Sequence, residues 1–253
     1  MDSIAVLDFG SQYAQLIARR VREIHCYCEL FSWDSAAEQV LSIQPKGFIL
    51  SGAPFSVYED NAPYIPDYIF ESKLPILGIC YGMQMLANQL GGKVAAAKSR
   101  EYGFAQLERL TPNPLLPYEK QRVWMSHGDR IDELPSGFTV LARSQNSPIA
   151  AMGDLQRAYY GVQFHPEVAH TKYGENILEW FALICKEKIT KREIKVDDIV
   201  SSIKSKVGDG YVIGALSGGV DSTVASVLVA RAIGAKFFPI YVDNGLMRIN
   251  TTE

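Results

Sequence analysis

The strongest constraint on this chain is a rhythm in which short apolar, β-branched runs alternate with amphipathic stretches. Ile4-Ala5-Val6-Leu7 precedes Gln12 to Glu23. Cys28-Glu29-Leu30-Phe31 then leads to a helical stretch near Ala36 to Ile43, and to Gly47-Phe48-Ile49-Leu50-Ser51. This βαβαβ pattern with apolar strands predicts an α/β fold whose parallel sheet is covered by helices on both faces. Ligands in such folds sit beyond the carboxyl ends of the strands. From about Lys93 to Gln163 the pattern changes to strands and turns: Gly103 to Leu110, Gln121 to Met125, Phe138 to Ala142, Ile149 to Met152 and Ala158 to Phe164. This part predicts an antiparallel or mixed extension of the sheet. A closing helix over Tyr173 to Lys188 carries Ile177, Trp180, Phe181, Ile184 and Cys185 at steps of three and four, the spacing of a core-facing stripe.

Apolar spacing lapses in the charge-rich stretch Lys186 to Glu193, which reads as a linker. The expected domains are therefore 1–189 and 190–253. After the linker come a helix with Ile199, Ile203 and Val207 on one face, a strand Tyr211 to Leu216, a glycine turn, a helix Ser222 to Ile233 and a strand Phe237 to Val242. One βαβ unit of roughly 60 residues cannot bury both faces of a sheet, so a truncated second domain is expected.

Composition narrows the class. Hydrophobic residues make up 47% and charged residues 21%, with a formal net charge of −3, which excludes disordered and fibrous chains. No basic patch stands out, so nucleic-acid binding is not expected. Apolar runs such as Ile76-Leu77-Gly78-Ile79-Cys80 fall far short of the roughly 18 to 20 residues of a membrane span, and the start lacks the basic segment of a secretion signal. A cytoplasmic location is the expectation. The four cysteines, Cys26, Cys28, Cys80 and Cys185, are too few for a disulfide scaffold and match no common zinc spacing.

Leu74 to Gln84 reads as strand, sharp turn and helix, with Cys80 at the turn between Gly78 and Gly82. A tight strand-to-helix turn leaves little room for Cβ atoms, and the helix N-terminus favours a thiolate at such a cysteine. A buried structural cysteine is the bland alternative. Tyr160 to Glu167 is a strand ending in His-Pro-Glu, which brings His165 to the same sheet edge. A cysteine nucleophile needs a base to take and return a proton, and the base needs a carboxylate to orient it; His165 and Glu167 could supply both. Phe48 to Pro54 is a buried strand breaking into a small-residue loop whose N–H groups, with that of Tyr81, could form an oxyanion hole. Trp124 to Asp129 is a polar cluster after a strand, suited to an amino-acid head group. His127 and Asp129 could instead form a second catalytic pair.

Taken together, these motifs resemble the class I glutamine amidotransferase family, through the Gly-x-Cys-x-Gly elbow and the His-x-Glu pair. Its GMP synthase branch is marked more narrowly by Asp8-Phe9-Gly10-Ser11-Gln12, by Trp124 to Asp129 and by Val162 to Thr171. The resemblance implies that Cys80 attacks the side-chain amide of glutamine, with His165 as acid/base and Glu167 orienting it. It also implies Ala53 and Tyr81 as oxyanion-hole donors, and Gly52, Gln84, Ser126, His127 and Gly128 as glutamine contacts. No cofactor is implied for glutamine hydrolysis. The family loop usually reads Ser-Gly-Gly-Pro, whereas Ala53 occupies the second glycine position here. A positive φ at that alanine would cost about 1 kcal/mol or more and lower turnover. Thr is also common in the family where Ala169 stands.

Val212 to Thr223 runs from a strand through Gly218 and Gly219 into a helix, presenting N–H groups and a helix N-terminus to an anion. No lysine follows the glycines, so this is not a Walker A loop. SGGVDS resembles the loop of ATP pyrophosphatases. The resemblance implies that Ser217, Gly218, Gly219, Val220, Asp221 and Ser222 surround ATP phosphates, with Asp221 acting through Mg²⁺. Val242 to Leu246 resembles that family's next strand end, near the adenosine. In a complete enzyme of the branch, XMP is adenylated by ATP and ammonia displaces AMP to give GMP. Such an enzyme dimerises through a carboxyl-terminal region not contained in this sequence, so the fragment is expected to keep only glutaminase activity. Two rival readings stand beside this one. The first is the glutaminase portion of another glutamine-dependent adenylating ligase, against which Asp8 to Gln12 and His170-Thr171 speak. The second is a non-catalytic regulatory module, against which the intact Cys80, His165 and Glu167 speak.

Overall fold

The computed structural model describes residues 3–185 and 196–241. The chain divides into two compact units, Met1–Lys191 and Arg192–Glu253. The charge-rich stretch Lys186 to Glu193 and the segment Val242 to Leu246 lie outside the described residues.

The first unit opens with strand β1 (Ser3–Asp8), helix α1 (Ala14–Glu23), β2 (Cys28–Ser32), α2 (Ala37–Leu41), β3 (Pro45–Leu50), α3 (Asp67–Glu71), β4 (Ile76–Ile79) and α4 (Tyr81–Gln89). It continues with β5 (Lys93–Arg109), β6 (Lys120–Glu133), β7 (Thr139–Arg143), β8 (Ala151–Asp154), β9 (Tyr159–Val162) and α5 (Gly174–Ile184). One nine-stranded sheet has the order β2-β1-β3-β4-β9-β8-β7-β5-β6. Strands β2, β1, β3, β4 and β9 are mutually parallel, and pairing turns antiparallel from β9 through β8, β7 and β5 to β6. The mixed sheet is the α/β architecture that the rhythm of the sequence predicts.

Strand alternation explains why the central strands are apolar throughout. Ile4 and Val6 of β1 pack into one core with Ile17 and Val21 of α1 and Phe181 of α5. Ala5 and Leu7 point the other way, into a core with Phe48, Ile69 and Leu86. Successive side chains of a strand face opposite sides of the sheet, so a strand covered on both sides must be apolar at every position. Helix α1 buries Ala14, Ile17, Ala18 and Val21, while its solvent face carries the Arg19–Glu23 pair at i,i+4. Helix α5 buries Ile177 and Phe181, and Cys185 just beyond it is core, as its spacing predicts.

Helix α3 has no counterpart in the periodicity of the sequence; at five residues it is too short to show a helical period. The larger correction concerns Trp124 to Asp129, which lie inside β6 rather than after a strand. Polar residues are tolerated there because β6 pairs with β5 along a long hairpin, in which Glu101 stands opposite His127 and Tyr102 opposite Ser126.

Because β1, β3, β4 and β9 run parallel, the segments that follow them all emerge at one sheet edge. These segments hold Gly10-Ser11, Ser51-Gly52-Ala53, Cys80 and Gln163 to Glu167.

The second unit contains α6 (Val196–Val207), β10 (Val212–Leu216), α7 (Val220–Ile233) and β11 (Phe237–Tyr241), with β10 and β11 parallel. It is a single βαβ unit preceded by a helix. Ile213 remains 73% exposed, so this small sheet leaves apolar side chains in solvent. Among the described residues, no helix is long and apolar enough to cross a membrane.

Candidate active site

Cys80 sits between the end of β4 and the start of α4, with φ 53° and ψ −107°. A non-glycine residue there is strained, by roughly 1 to 3 kcal/mol, and persists only when its surroundings hold it. The surroundings are tight. A Cβ on Gly78 would lie 2.6 Å from the Gly82 backbone, and one on Gly82 would lie 2.5 Å from the Leu50 carbonyl oxygen. Main-chain bonds fix the turn: Cys80 N–H donates to Val162 at 2.8 Å and Gly82 N–H to Ser51 at 3.1 Å. Tyr81 opens α4, where the first N–H groups have no partner within the helix.

His165 follows β9. Its Nδ1 is 2.7 Å from Oε1 of Glu167, and both side chains are almost wholly out of water. With Nδ1 held there, Nε2 is the nitrogen left for the Cys80 sulfur. Burial works against a charge on His165, but the Cys80 sulfur and the Glu167 carboxylate outweigh it and push the imidazole up from 6.5 to about 10. Oε2 of Glu167 has no hydrogen-bond partner among the described residues, so the carboxylate is directed at the imidazole. The His165 loop is pinned from outside. Its N–H donates to the Trp124 carbonyl at 3.0 Å, and Thr171 links its carbonyl to the Trp124 N–H. The Tyr13 ring meets the imidazole edge-on at 5.2 Å.

These groups face a cavity of about 690 Å³, a size suited to a small molecule. Gly52, Ala53, Cys80, Tyr81, Gln84, Ser126, His127, Gly128 and His165 all line it, while Glu167 lies behind His165. A Cβ on Gly52 would be 3.6 Å from the His165 ring and 3.8 Å from the Cys80 Cβ, so the loop after β3 passes beside both. Asp8 shapes the neighbouring turn, where its Oδ1 accepts from the N–H groups of Gly10 and Ser11. Ala53 is not among the non-glycine residues with positive φ. The strain expected there from the sequence does not arise, because the loop reaches the site with ordinary backbone angles.

The far wall is a buried polar network. His127 directs Nδ1 to the main-chain carbonyl of Asp129 at 2.9 Å and Nε2 to Glu101 at 3.3 Å. The Asp129 carboxylate is turned elsewhere, to Ser56 at 2.5 Å and Tyr58 at 2.9 Å. A His127–Asp129 catalytic pair is therefore ruled out by geometry. Burial alone would raise the Glu101 carboxyl, but His127, Ser147 and Ser144 hold it below its usual range. The Gln84 amide nitrogen donates to the Asp129 carbonyl and to Gln163, so a ligand could meet only its carbonyl oxygen. Sequence reasoning does not single out Glu101, Ser56, Tyr58, Tyr13 or Gln163. Only Gln163 left a signal: it lies two residues before His165, and alternate positions of an extended segment share a side.

In the second unit, Ser217 to Gly219 join β10 to α7, and Val220 to Ser222 lie in the first turn of α7. Gly218 has φ +74°, and the Ser217 and Ser222 hydroxyls are 3.0 Å apart. The N-terminus of a four-turn helix behind a glycine turn suits a phosphate. Among the described residues no group of three or more His, Cys, Asp or Glu side chains could hold a metal. Asp221 is a single carboxylate, which suits Mg²⁺ only if phosphate oxygens complete its shell.

The model of the family "Glutamine amidotransferase class-I" matches residues 5–185. Curated relatives described as "GMP synthase [glutamine-hydrolyzing]" include one from Alteromonas mediterranea, 49% identical over 99% of this chain and 50% of the relative. Another, from Vibrio vulnificus, is 52% identical over 98% of this chain and 48% of the relative. The chain thus spans about half the length of the curated relatives it matches. Among solved structures, a Thermoplasma acidophilum protein described as a candidate GMP synthase subunit is 31% identical. The match covers 74% of this chain and 94% of that one, with a TM-score of 0.62. A Thermotoga maritima glutamine amidotransferase shares the fold, at 20% identity and a TM-score of 0.53, over 92% of this chain and 98% of that one.

Proposed function

Because this chain belongs to the class I glutamine amidotransferase family, we propose that it hydrolyses glutamine to glutamate and ammonia at Cys80. The observation that carries this reading is the strained elbow presenting Cys80 to a cavity beside the His165–Glu167 pair. Cys80 sulfur attacks the side-chain amide carbon with its proton already held by His165, whose imidazole keeps it up to about pH 10. The Tyr81 and Ala53 N–H groups stabilise the oxyanion. The C–N bond breaks, and His165 returns the proton to the departing ammonia. Water, activated by the same imidazole, then releases glutamate from the Cys80 thioester. Glu167 keeps the ring oriented throughout. Gly52, the Gln84 carbonyl and the Ser126, His127 and Gly128 backbone hold the α-groups of glutamine.

We further propose that residues 1–189 form the amidotransferase domain and that residues 190–253 are a linker with part of an ATP pyrophosphatase domain. Ser217, Gly218, Gly219, Val220, Asp221 and Ser222 would hold the ATP phosphates, and Asp221 the Mg²⁺. Bound ATP supplies an adenylyl group to activate XMP, and the ammonia released at Cys80 completes its amination to GMP in a cytoplasmic homodimer. What supports this reading is the likeness to the amino-terminal half of the named relatives and the glycine turn before α7. The test is glutamate release from glutamine by this chain and by Cys80→Ala, with ATP, Mg²⁺ and XMP added or omitted. Release that disappears in Cys80→Ala is the expected result. Release that persists in it overturns the assignment of the nucleophile.

A further inference from the structure

The Cys80 sulfur meets one more polar group beside His165 and the Ser126 carbonyl. Nε2 of Gln163 lies 3.7 Å from Sγ, on a buried side chain. Which end of a buried amide faces a neighbour is dictated by the partners at its other end. Here the partners run back, link by link, to a charge.

Glu101 fixes His127, and Nδ1 of His127 fixes the Asp129 carbonyl. That carbonyl oxygen is 3.2 Å from the Gln84 amide. A carbonyl only accepts, so Gln84 must turn its NH₂ toward it. The second hydrogen of the same NH₂ meets the Gln163 amide at 3.1 Å, so Gln163 must turn its oxygen to Gln84. Its own NH₂ is then left facing Cys80. Reversing Gln84 would set its oxygen against the Asp129 carbonyl oxygen, and reversing Gln163 would set its NH₂ against that of Gln84; either leaves buried polar groups facing like partners, which is costly.

We propose that Gln163 is a further catalytic residue, donating an amide N–H to the Cys80 sulfur, with Gln84 as the positioning residue that fixes the direction of that donor. The proposal rests on the reading of Cys80 as the nucleophile of glutamine hydrolysis. With the proton held by His165, the electron pair on sulfur finds the Gln163 N–H already aimed at it. The donor neither gives up its proton nor forms a bond; it stabilises the charge and holds the sulfur in place until attack. A donor to a charged atom in a buried site is worth more than an ordinary hydrogen bond.

The test uses Gln163→Glu, which replaces the donor with an acceptor of the same shape, and Gln163→Met, which removes it at similar volume. The rate of Cys80 alkylation by chloroacetamide is followed beside glutamine kinetics. Alkylation needs no glutamine, so it tests the contact even if the proposed hydrolysis is absent. Alkylation and kcat should each fall roughly tenfold to a hundredfold in Gln163→Glu, with KM changed less than about twofold. Gln163→Met should fall between it and the parent. Folded variants that alkylate at the parent rate overturn the proposal. Should neither variant fold, the side-chain ¹⁵N resonance of Gln163 in the parent chain decides: a shift on alkylation of Cys80 supports the contact, and no shift overturns it.

Discussion

Glu101 and His127 face each other across the β5–β6 hairpin, carboxylate Oε2 to imidazole Nε2 at 3.3 Å, both side chains buried. Ser144 and Ser147 complete the carboxylate's hydrogen bonds. Glu101→Gln should therefore destabilise the chain by about 1 to 3 kcal/mol at neutral pH, because it turns one acceptor of these buried hydrogen bonds into a donor. The sign with pH follows from the lowered Glu101 carboxyl. Its contribution is present above the ordinary value of 4.5 and is lost as the pH falls through the lower folded value. Denaturant unfolding at pH 7 and in acid checks this: the gap between parent and variant should close in acid.

His165 holds its proton more tightly in the folded chain than in the unfolded one. Stability from its contacts is complete below 6.5 and is lost as the pH rises toward about 10. Cys80→Ala removes the sulfur that, with Glu167, produces the shift. Unfolding curves from about pH 6 to about pH 10.5 should show an alkaline loss in the parent that is smaller and sits at lower pH in the variant. Identical profiles would contradict the contact.

Glu167 contributes orientation and charge to His165 without lining the cavity. Glu167→Gln keeps the shape but not the charge. Glutamate release should fall roughly a hundredfold or more in kcat, with KM for glutamine nearly unchanged. A change in KM alone would instead make Glu167 part of the binding wall.

Ala53 offers a case where fold and sequence point in opposite directions. The sequence alone suggests that glycine there would relieve strain and quicken turnover. Without a positive φ there is no strain to relieve. Ala53→Gly should leave kcat within about twofold and lower stability by roughly 0.5 kcal/mol, the cost of a freer unfolded chain. A clear gain in turnover would restore the strain argument.

The sheet, the elbow and the placing of Cys80, His165 and Glu167 at one sheet edge were legible in the sequence for a physical reason. Each is written in neighbouring residues: apolar alternation for a strand covered on both faces, glycines where a Cβ would strike backbone at 2.6 Å or less, and a histidine two residues from its carboxylate. The shape of the far wall was not legible. Glu101 and Gln163 are separated in sequence from the groups they serve, and meet them only because β5 pairs with β6 and because β4 and β9 run side by side. Local residue order determined which groups could do chemistry. The pairing of distant strands decided which buried polar atoms they would face, because a hydrogen bond depends on separation in space and on which partner can donate.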